Sequence, residues 1–312
     1  MNSARTIDFS QHKNLQSLIE LDENIQEFVN AWQSGTSQFH VKTSGSTGIP
    51  KEIRVSRKQM EISAQKTAVF LNLKKGNTCL ICLSGNTIAG KMMLVRAMEV
   101  GMIATIITPS AQPFEGFDKG FDFVALVPLQ VENALDSISF QQSKNIIIGG
   151  APLSSTLEHQ LASLENNIYQ TYGMTETVSH IALKKVGTKY YKTLPDVSIT
   201  TDDRQCLVID APMATESPII TNDIVSIIDD TTFQWVGRHD FVINSGGIKI
   251  HAESLEKEIE ALLIKQNINC KALVFGLPDT KYGESINVVL EGASLDDNKK
   301  AMLQKALPQY HF

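Results

Sequence analysis

Residues 42–51 read Lys-Thr-Ser-Gly-Ser-Thr-Gly-Ile-Pro-Lys, a segment rich in hydroxyl groups and glycine that ends on a lysine. Gly45 and Gly48 allow the backbone to turn tightly and to approach a ligand without a Cβ in the way. Successive backbone N–H groups in such a turn can point at one anion. Lys51 adds a positive charge, and further donors come from the hydroxyl groups of Thr43, Ser44, Ser46 and Thr47. The segment therefore predicts a loop that grips a polyphosphate.

Two other interpretations of this segment fit less well. A flexible Ser/Gly linker would carry no ligand, but strand-like residues flank the segment on both sides, at 39–41 and 53–55. The common P-loop has the pattern Gly-x-x-x-x-Gly-Lys-Ser/Thr. Here the two glycines are three residues apart, and Ile-Pro separates the second glycine from the lysine. The loop is therefore of another type.

The composition describes a globular chain with a mildly acidic balance. Its 312 residues suffice for one large domain or two ordinary ones, and 42% apolar residues permit a full core. The formal charge of −6 argues against a nucleic-acid partner. Because no apolar run is long enough for a membrane span and the N-terminus has no signal core, we expect a cytoplasmic protein. Cys79 and Cys82 lie in an apolar strand-like run, which favours buried free thiols over a zinc site.

The order of the predicted elements is typical of an α/β fold. Apolar spacing predicts a helix over residues 15–32, and Ser56 is expected to cap a second helix. Strands and helices then alternate, which predicts a mainly parallel sheet covered by helices. Ligands of such sheets bind beyond the carboxyl ends of the strands, where residues 149–152 and 172–176 are expected. The predicted strands cover 79–83, 103–107, 123–127, 146–148 and 168–171, and the predicted helices cover 89–100, 130–137 and 154–163.

The pattern changes to short strands from residue 206 onward, and a charged helix follows over residues 253–264. This predicts a small α+β domain at the end of the chain. The predicted fold class is α/β: a large domain with mainly parallel sheets covered by helices plus short β segments, followed by a small α+β C-terminal domain. We expect the large domain to cover residues 1–240 and the small one residues 241–312.

Three segments together resemble the adenylate-forming superfamily of acyl-CoA synthetases, luciferases and peptide-synthetase adenylation domains. The first is the loop 42–51, the second is Thr-Tyr-Gly-Met-Thr-Glu-Thr at 171–177, and the third is Trp-Val-Gly-Arg-His-Asp at 235–240. The resemblance implies an acid–thiol ligase that uses ATP. Such an enzyme first joins a carboxylic acid to the α-phosphate of ATP, releasing pyrophosphate, and then transfers the acyl group to the thiol of coenzyme A.

The resemblance also implies roles for single residues. The loop 43–51 would hold the β- and γ-phosphates, and Thr43 and Glu176 would bind Mg²⁺. Tyr172 would stack on adenine, while Asp223 and Arg238 would contact the ribose; Asn222 stands where the family usually has glycine. The catalytic set is Thr43, Lys51, Glu176 and Arg238. The remaining residues expected around the nucleotide are Gly150, Ala151, Pro152, Thr171, Gly173, Met174 and Thr175.

The family's second half-reaction implies a moving small domain. Asp240 matches the family's hinge between the two domains. Gly246, Gly247 and Lys249 would enter the site and line the tunnel for the pantetheine arm of coenzyme A, since glycines permit close approach. An ordinary Gly-Gly hairpin remains the alternative for this segment.

The resemblance narrows, over residues 88–96, 171–180 and 235–249, to the short o-succinylbenzoate–CoA ligases of menaquinone biosynthesis. That substrate is an aromatic dicarboxylate, so one carboxylate stays unreacted and needs a cation. Lys91 and Arg96 are the candidates, one of which is expected to be only a charge on a helix surface. His180 either lines the same pocket or is a packed histidine.

Two departures from the family keep other functions open. Only 41 residues precede the loop, fewer than in most members, so exposed surface could favour a homodimer. No residue before Phe312 can be assigned to the family's C-terminal adenylation lysine. The alternatives are an aryl or fatty acyl-CoA ligase with another acid, or a nucleotide-binding protein without turnover. The expected partners are the acid, ATP and coenzyme A.

Overall fold

The computed structural model describes residues 4–11, 22–42, 52–268, 270–292 and 297–307. These residues group into two compact units. The first comprises the described residues within 1–153, 161–198 and 209–219, and the second comprises those within 154–160, 199–208 and 220–312. The expected domain boundary at residue 240 stays a prediction.

The first unit is built around a mixed sheet with a parallel centre. Eight strands lie in the order β1-β5-β4-β6-β7-β8-β9-β10, and the pairs from β5 to β8 are parallel, whereas β1, β9 and β10 pair antiparallel. A separate hairpin is formed by β2 and β3. The strands are β1 (Arg5–Asp8), β2 (Gln38–Lys42), β3 (Glu52–Ser56), β4 (Thr78–Ile81), β5 (Ile103–Ile106), β6 (Phe123–Leu126), β7 (Asn145–Ile148), β8 (Asn167–Gly173), β9 (His180–Lys185) and β10 (Tyr191–Thr193). The predicted α/β class is thereby confirmed in its parallel centre, but the sheet is mixed and not mainly parallel.

Local sequence signals fix the ends of the helices in this unit. Ser56 caps α2 through a capping box with Gln59, and Gly101 ends α3 in the left-handed conformation, with φ of 74°. The centre of α3 is buried on all sides, because every residue from Met92 to Ala97 is buried. The helices are α1 (Glu23–Gln33), α2 (Arg57–Leu71), α3 (Ile88–Val100), α4 (Pro128–Glu132) and α5 (Ile138–Gln142).

One helix prediction is tested only in part, and another is wrong in its bounds. Of the helix predicted over residues 15–32, the structure describes α1 from Glu23 onward, where the carboxylate of Asp22 accepts from the N–H of Asn24; residues 12–21 lie outside the described residues. The helix predicted over residues 130–137 ends at Glu132. There Pro128 starts the helix early, and Ser137 caps the next helix instead of ending this one.

The second unit contains two sheets and a helix that covers one of them. Four strands lie in the order β14-β13-β12-β11, and a second sheet has the order β16-β15-β18-β17. Helix α7 packs its apolar face, including Leu255, Ile259 and Leu263, on the second sheet. The elements are α6 (Ser155–Ala162), β11 (Ser198–Thr201), β12 (Cys206–Asp210), β13 (Ile219–Asp229), β14 (Thr232–Arg238), β15 (Val242–Ser245), β16 (Ile248–His251), α7 (Ala252–Ile264), β17 (Lys271–Asp279), β18 (Gly283–Glu291) and α8 (Asp297–Ala306).

None of the helices within the described ranges is both long enough and apolar enough to cross a membrane.

All four cysteines are buried, and their thiols should be unreactive in the folded protein. Burial raises the pKa of the Cys79 and Cys82 thiols to about 12, and it also raises the pKa of Cys206 and Cys270. Because the thiolate is the reactive form, we expect a thiol reagent at pH 8 to label the native chain very slowly. All four thiols should react once guanidinium unfolds it. Rapid labelling of the native chain would contradict this prediction.

Candidate active site

A cavity of about 220 Å³ lies in the first unit, at the carboxyl ends of its parallel strands. Leu83 follows β4, Val127 follows β6, and Gly149 follows β7, as the βα alternation requires. Segments far apart in sequence therefore meet at one edge of the sheet. The lining includes polar or glycine positions of β8, of the turn after it and of the first residue of β9: Thr171, Gly173, Thr175, Ser179 and His180.

The structure places the predicted adenine-side residues in two groups. Gly150, Thr171, Gly173, Met174 and Thr175 line the cavity. The other predicted contacts, Ala151, Pro152 and Tyr172, are not among its lining residues, and their roles stay predictions. Tyr172 instead meets Tyr191 edge-on, with 5.8 Å between the ring centroids.

The strand β8 is longer than the sequence predicted. It runs to Gly173, so Tyr172 and Gly173 lie within the strand and not after it. The extension follows from the antiparallel pairing with β9, in which Gly173 lies opposite His180.

Gly173 is required because a backbone segment occupies the space of a side chain. A Cβ at this position would lie 2.4 Å from the carbonyl oxygen of Ser179 and 2.5 Å from the Cα of His180. We expect Gly173→Ala to lower the free energy of unfolding by about 2–4 kcal/mol, since backbone cannot move aside as a flexible side chain does. Denaturant unfolding measures this loss.

A matched control is Gly116→Ala. A Cβ there meets nothing within 4 Å, so only the left-handed φ of 82° opposes the substitution. That substitution should lower the free energy of unfolding by about 1 kcal/mol. Equal losses for the two variants would contradict the steric argument.

Glu176 lies on a short 3-10 turn, Thr175–Thr177, directly after the cavity residues. Its backbone carbonyl accepts hydrogen bonds from the N–H of Thr215 at 2.8 Å and from Thr215 Oγ1 at 3.1 Å, so the turn is held in place. No cluster of three or more His, Cys, Asp or Glu side chains suited to a metal occurs in the part of the chain that the structure describes. A single carboxylate can nevertheless suit Mg²⁺, which keeps several waters and takes other oxygens from substrate phosphates. The metal role of Glu176 stays a prediction.

Val178, two residues after Glu176, has a strained backbone. Its φ is 66°, a conformation that β-branched residues rarely adopt, and its side chain is fully buried. The Oγ1 of Thr177 lies 2.9 Å from the carbonyl oxygen of Met174 and 2.6 Å from that of Ser179, which share its one hydrogen, and it accepts from the N–H of Met174. These contacts hold the strained turn. Such strain concentrates at functional sites. The turn sets the positions of Glu176 on one side and Ser179 on the other.

Arg96 is a buried cation in the cavity wall. It is 2% exposed, and burial lowers the pKa of its guanidinium to about 9. Its Nη2 donates to Ser179 Oγ at 2.7 Å, whereas its buried Nε has no hydrogen-bond partner among the described residues. Burying an arginine without a carboxylate is costly. The site is therefore suited to a ligand that brings its own anion.

His180 also lines the cavity and is neutral. Burial first, and the charge of Arg96 second, hold the pKa of its imidazole well below the usual range. Its Nε2 lies 3.1 Å from Thr67 Oγ1, and its Nδ1 lies 3.4 Å from Ser179 Oγ. This side chain is therefore packed and also lines the cavity; its role toward an acid substrate stays a prediction.

Lys91 is in a different environment from Arg96. Its Nζ lies 5.9 Å from the ring centroid of Phe28, and partial burial lowers the pKa of the amine. Lys91 is not among the residues that line the cavity. Its role toward a substrate stays a prediction, but Arg96 has the geometry of the cavity cation.

The second unit brings the predicted ribose and hinge residues together. Asp223 on β13 lies opposite Arg238 on β14, with 3.9 Å between Asp223 Oδ1 and Arg238 Nη1. The indole Nε1 of Trp235 donates to the same Oδ1 at 3.2 Å. Arg238 Nη2 donates to Asp240 Oδ2 at 2.8 Å, and this bond keeps the pKa of Asp240 below its usual range. The sequence interpretation missed Trp235, whose indole N–H fixes one oxygen of Asp223.

Gly246 and Gly247 form a two-residue turn between β15 and β16. Both have positive φ, of 59° and 82°, and Ser245 lies opposite Ile248. This is the Gly-Gly hairpin that the sequence left as the alternative. Lys249 is exposed next to it. The predicted contact of these three residues with coenzyme A stays a prediction.

The predicted phosphate loop itself, with Thr43, Ser44, Gly45, Ser46, Thr47, Gly48 and Lys51, lies outside the described residues. The two strands on either side of the loop are described, and Lys42 lies opposite Glu52 where these strands meet the loop.

The chain belongs to the AMP-binding enzyme family, whose profile matches residues 17–219. Among solved structures, an acyl-CoA synthetase (AMP-forming)/AMP-acid ligase II-like protein from Dyadobacter fermentans is 35% identical, with a TM-score of 0.71 over 99% of this chain and 90% of that chain. An o-succinylbenzoate CoA synthetase from Bacillus subtilis, solved with ATP and magnesium ion, has the same fold. It matches with a TM-score of 0.70 and 20% identity over 86% of this chain and 62% of that one.

Curated relatives are acid–CoA ligases by name. A 2-succinylbenzoate–CoA ligase from Listeria monocytogenes is 23% identical over 94% of this chain and 68% of its own length. A 4-chlorobenzoate–CoA ligase from Arthrobacter sp is 24% identical over 87% of this chain and 60% of its own length. The chain thus spans about two thirds of the length of the curated relatives it matches.

Proposed function

We propose that this protein is an AMP-forming acid–CoA ligase whose acid carries a second carboxylate, with o-succinylbenzoate as the best candidate. One observation carries the choice of a diacid. Arg96 lines the cavity as a buried cation, and within the described ranges no carboxylate pairs with it. A carboxylate of the substrate would supply the missing partner, in a surrounding where a charge-assisted hydrogen bond is strong.

The rest of the cavity suits an aromatic body. Leu83, Ile88, Ala125, Leu126 and Ile147 provide an apolar wall around the single guanidinium. A few placed polar groups in a mostly apolar pocket are typical of small-molecule sites. The names of several relatives, which are 2-succinylbenzoate–CoA ligases, support the same acid.

In the proposed reaction, the chain's own residues bind and position the substrates. The loop 43–51 grips the β- and γ-phosphates, and Asp223 and Arg238 hold the ribose. Glu176 and Thr43 would hold Mg²⁺, which neutralises phosphate charge when bound. The reacting carboxylate of the acid attacks the α-phosphate, and the bond to pyrophosphate breaks. The thiol of coenzyme A then displaces AMP from the acyl-adenylate, admitted by the Gly246–Lys249 hairpin.

Catalysis of this kind depends on positioning and on charge stabilisation, because the protein forms no covalent bond with the substrate. The Thr175–Thr177 turn and the strained Val178 would hold the metal-side carboxylate and the acid pocket in a fixed relation.

The decisive experiment measures the two half-reactions separately. Acid-dependent exchange of pyrophosphate into ATP reports adenylation, and thioester formation from acid, ATP and coenzyme A reports the whole reaction. The panel is o-succinylbenzoate, benzoate, 4-chlorobenzoate and a medium-chain fatty acid. We expect o-succinylbenzoate to give the highest kcat/KM. A preference for a monoacid would overturn the diacid, and ATP binding without exchange for any acid would overturn the ligase activity.

A further inference from the structure

A line of buried polar side chains connects α2 with the cavity wall. Ser63 and Thr67 lie one turn apart on α2, both without exposed surface, where this helix packs against α3. Thr67 contacts His180, His180 contacts Ser179, and Ser179 contacts Arg96. Of these residues, His180, Ser179 and Arg96 line the cavity. Thr67 does not line it and is linked to the cavity wall through His180.

The direction of each hydrogen bond in this line can be assigned. The single hydroxyl hydrogen of Thr67 is used by the carbonyl oxygen of Ser63, at 3.0 Å. Thr67 Oγ1 therefore accepts toward His180, and the Nε2 of His180, 3.1 Å away, must carry the hydrogen. The Nδ1 of a neutral imidazole in this tautomer is an acceptor.

The hydrogen bonds of Ser179, which lines the cavity, can be assigned in the same way. Ser179 Oγ accepts from Arg96 Nη2 at 2.7 Å, so its own hydrogen is available for His180 Nδ1, 3.4 Å away. The hydroxyl hydrogens of Thr67 and Ser179 and the Nε2–H of His180 then each meet an acceptor. With the opposite tautomer, Nε2 and Thr67 Oγ1 would face each other as two acceptors, and the hydroxyl hydrogen of Ser179 would lose Nδ1 as its acceptor.

We infer that His180 is a positioning residue, held by Thr67 as the neutral Nε2–H tautomer so that its Nδ1 orients Ser179 and, through it, Arg96. This inference rests on the proposed function only for its effect on a diacid; the tautomer itself stands on the contacts. A neutral ring also leaves Arg96 as the one cation of this line, because Ser63, Thr67 and Ser179 carry no charge. Burial and the field of Arg96 keep the pKa of the imidazole low, in agreement with this assignment.

The tautomer is measured directly by two-bond ¹H–¹⁵N correlation spectra of protein labelled at histidine. The chain has seven histidines, so His180→Gln identifies the signal. We expect the neutral Nε2–H pattern in the wild type at pH 8 and still at pH 6.5, the ordinary pKa of an imidazole. A neutral Nδ1–H pattern, or titration near pH 6.5, would overturn the inference.

Three variants separate the role of Thr67 from packing. Thr67→Val keeps the shape and removes the acceptor, Thr67→Ser keeps the hydroxyl, and Ser63→Ala removes a buried hydroxyl that makes no hydrogen bond in the described part of the chain. The Nε2–H pattern should be lost in Thr67→Val and kept in the other two. If Thr67→Val retained the wild-type pattern, Thr67 would not be the group that holds it.

Kinetics with o-succinylbenzoate then test the positioning role separately from the proposed function. Thr67→Val should raise the KM for this diacid about tenfold, with the KM for ATP unchanged, and Thr67→Ser should restore it. If o-succinylbenzoate is turned over but its KM is unchanged in Thr67→Val, the positioning role is wrong and the proposed function stands. If the wild type shows the Nε2–H tautomer but no use of o-succinylbenzoate, the proposed function is wrong.

Discussion

Arg96→Met is expected to lower kcat/KM for a diacid strongly and, at the same time, to make the folded protein more stable. The guanidinium is fully buried, and burial alone accounts for the fall of its pKa to about 9. Methionine fills a similar volume without charge, so the cost of keeping a charge away from water disappears. Replacing buried charges by apolar groups is often neutral or stabilising by about 1–4 kcal/mol. The lost bond to Ser179 offsets part of this gain, which leaves an expected increase of about 1 kcal/mol in the free energy of unfolding.

The effect on activity has the opposite sign. Removing one partner of a buried charge pair costs roughly 2–5 kcal/mol, which corresponds to a fall in kcat/KM for o-succinylbenzoate of about 30-fold to several thousand-fold. Benzoate, which has no second carboxylate, should be used no worse by the variant than by the wild type. Unfolding in denaturant and thioester formation on the two acids measure the two effects on the same preparations.

Lys91→Met is the matched control on the same helix. It removes the same charge from a half-buried amine that faces Phe28 and does not line the cavity. It should leave the ratio of kcat/KM between the two acids unchanged. If Lys91→Met lost the diacid and Arg96→Met kept it, the assignment of the cavity cation would be reversed.

The sequence alone could not decide whether Lys91 or Arg96 is the cation of the cavity. Five residues separate them on one helix, and the sequence marks both as candidates without ranking them. The ranking depends on which face of α3 meets the cavity and which meets α1, and that is a property of packing between distant segments. The helix itself was predictable, since Thr87 caps it, Gly101 ends it, and both signals are local.

The parallel centre of the sheet was predictable for a related reason. Strands that alternate with helices have few ways to pack, and their carboxyl ends share one edge. The antiparallel strand β9 was not predicted, although it carries His180. It follows the 3-10 turn at Thr175 and the strained Val178, where the chain reverses its direction. Because this reversal depends on a rare backbone conformation at a valine, no local sequence pattern predicts it. The contact of Trp235 with Asp223 was missed because it requires the register of β13 with β14, which has two irregularities.

Asp223→Asn is expected to weaken ATP binding by about 10- to 100-fold while leaving the fold intact. The indole of Trp235 donates to Asp223 Oδ1, and the amide oxygen of asparagine can keep that bond. The amide nitrogen then takes the place of the other carboxylate oxygen. A donor would replace an acceptor where the ribose hydroxyls are expected to donate, and a lost hydrogen bond to a charged group costs about 1.5–3 kcal/mol. Because the pairing of β13 with β14 is untouched, unfolding should change by less than about 1 kcal/mol.

Calorimetric titration with ATP and with 2′,3′-dideoxy-ATP tests the ribose contact itself. The wild type should lose affinity when the two hydroxyls are removed, and Asp223→Asn should lose little more, because the bonds are already absent. Asp230→Asn removes the same charge from an exposed turn residue beside the same strands and should bind both nucleotides as the wild type does. Equal losses of affinity for ATP and for the dideoxy nucleotide in Asp223→Asn would show that the carboxylate acts through general electrostatics and not through the ribose. In that case the pairing of Asp223 with Arg238 would have to be explained as a structural contact alone.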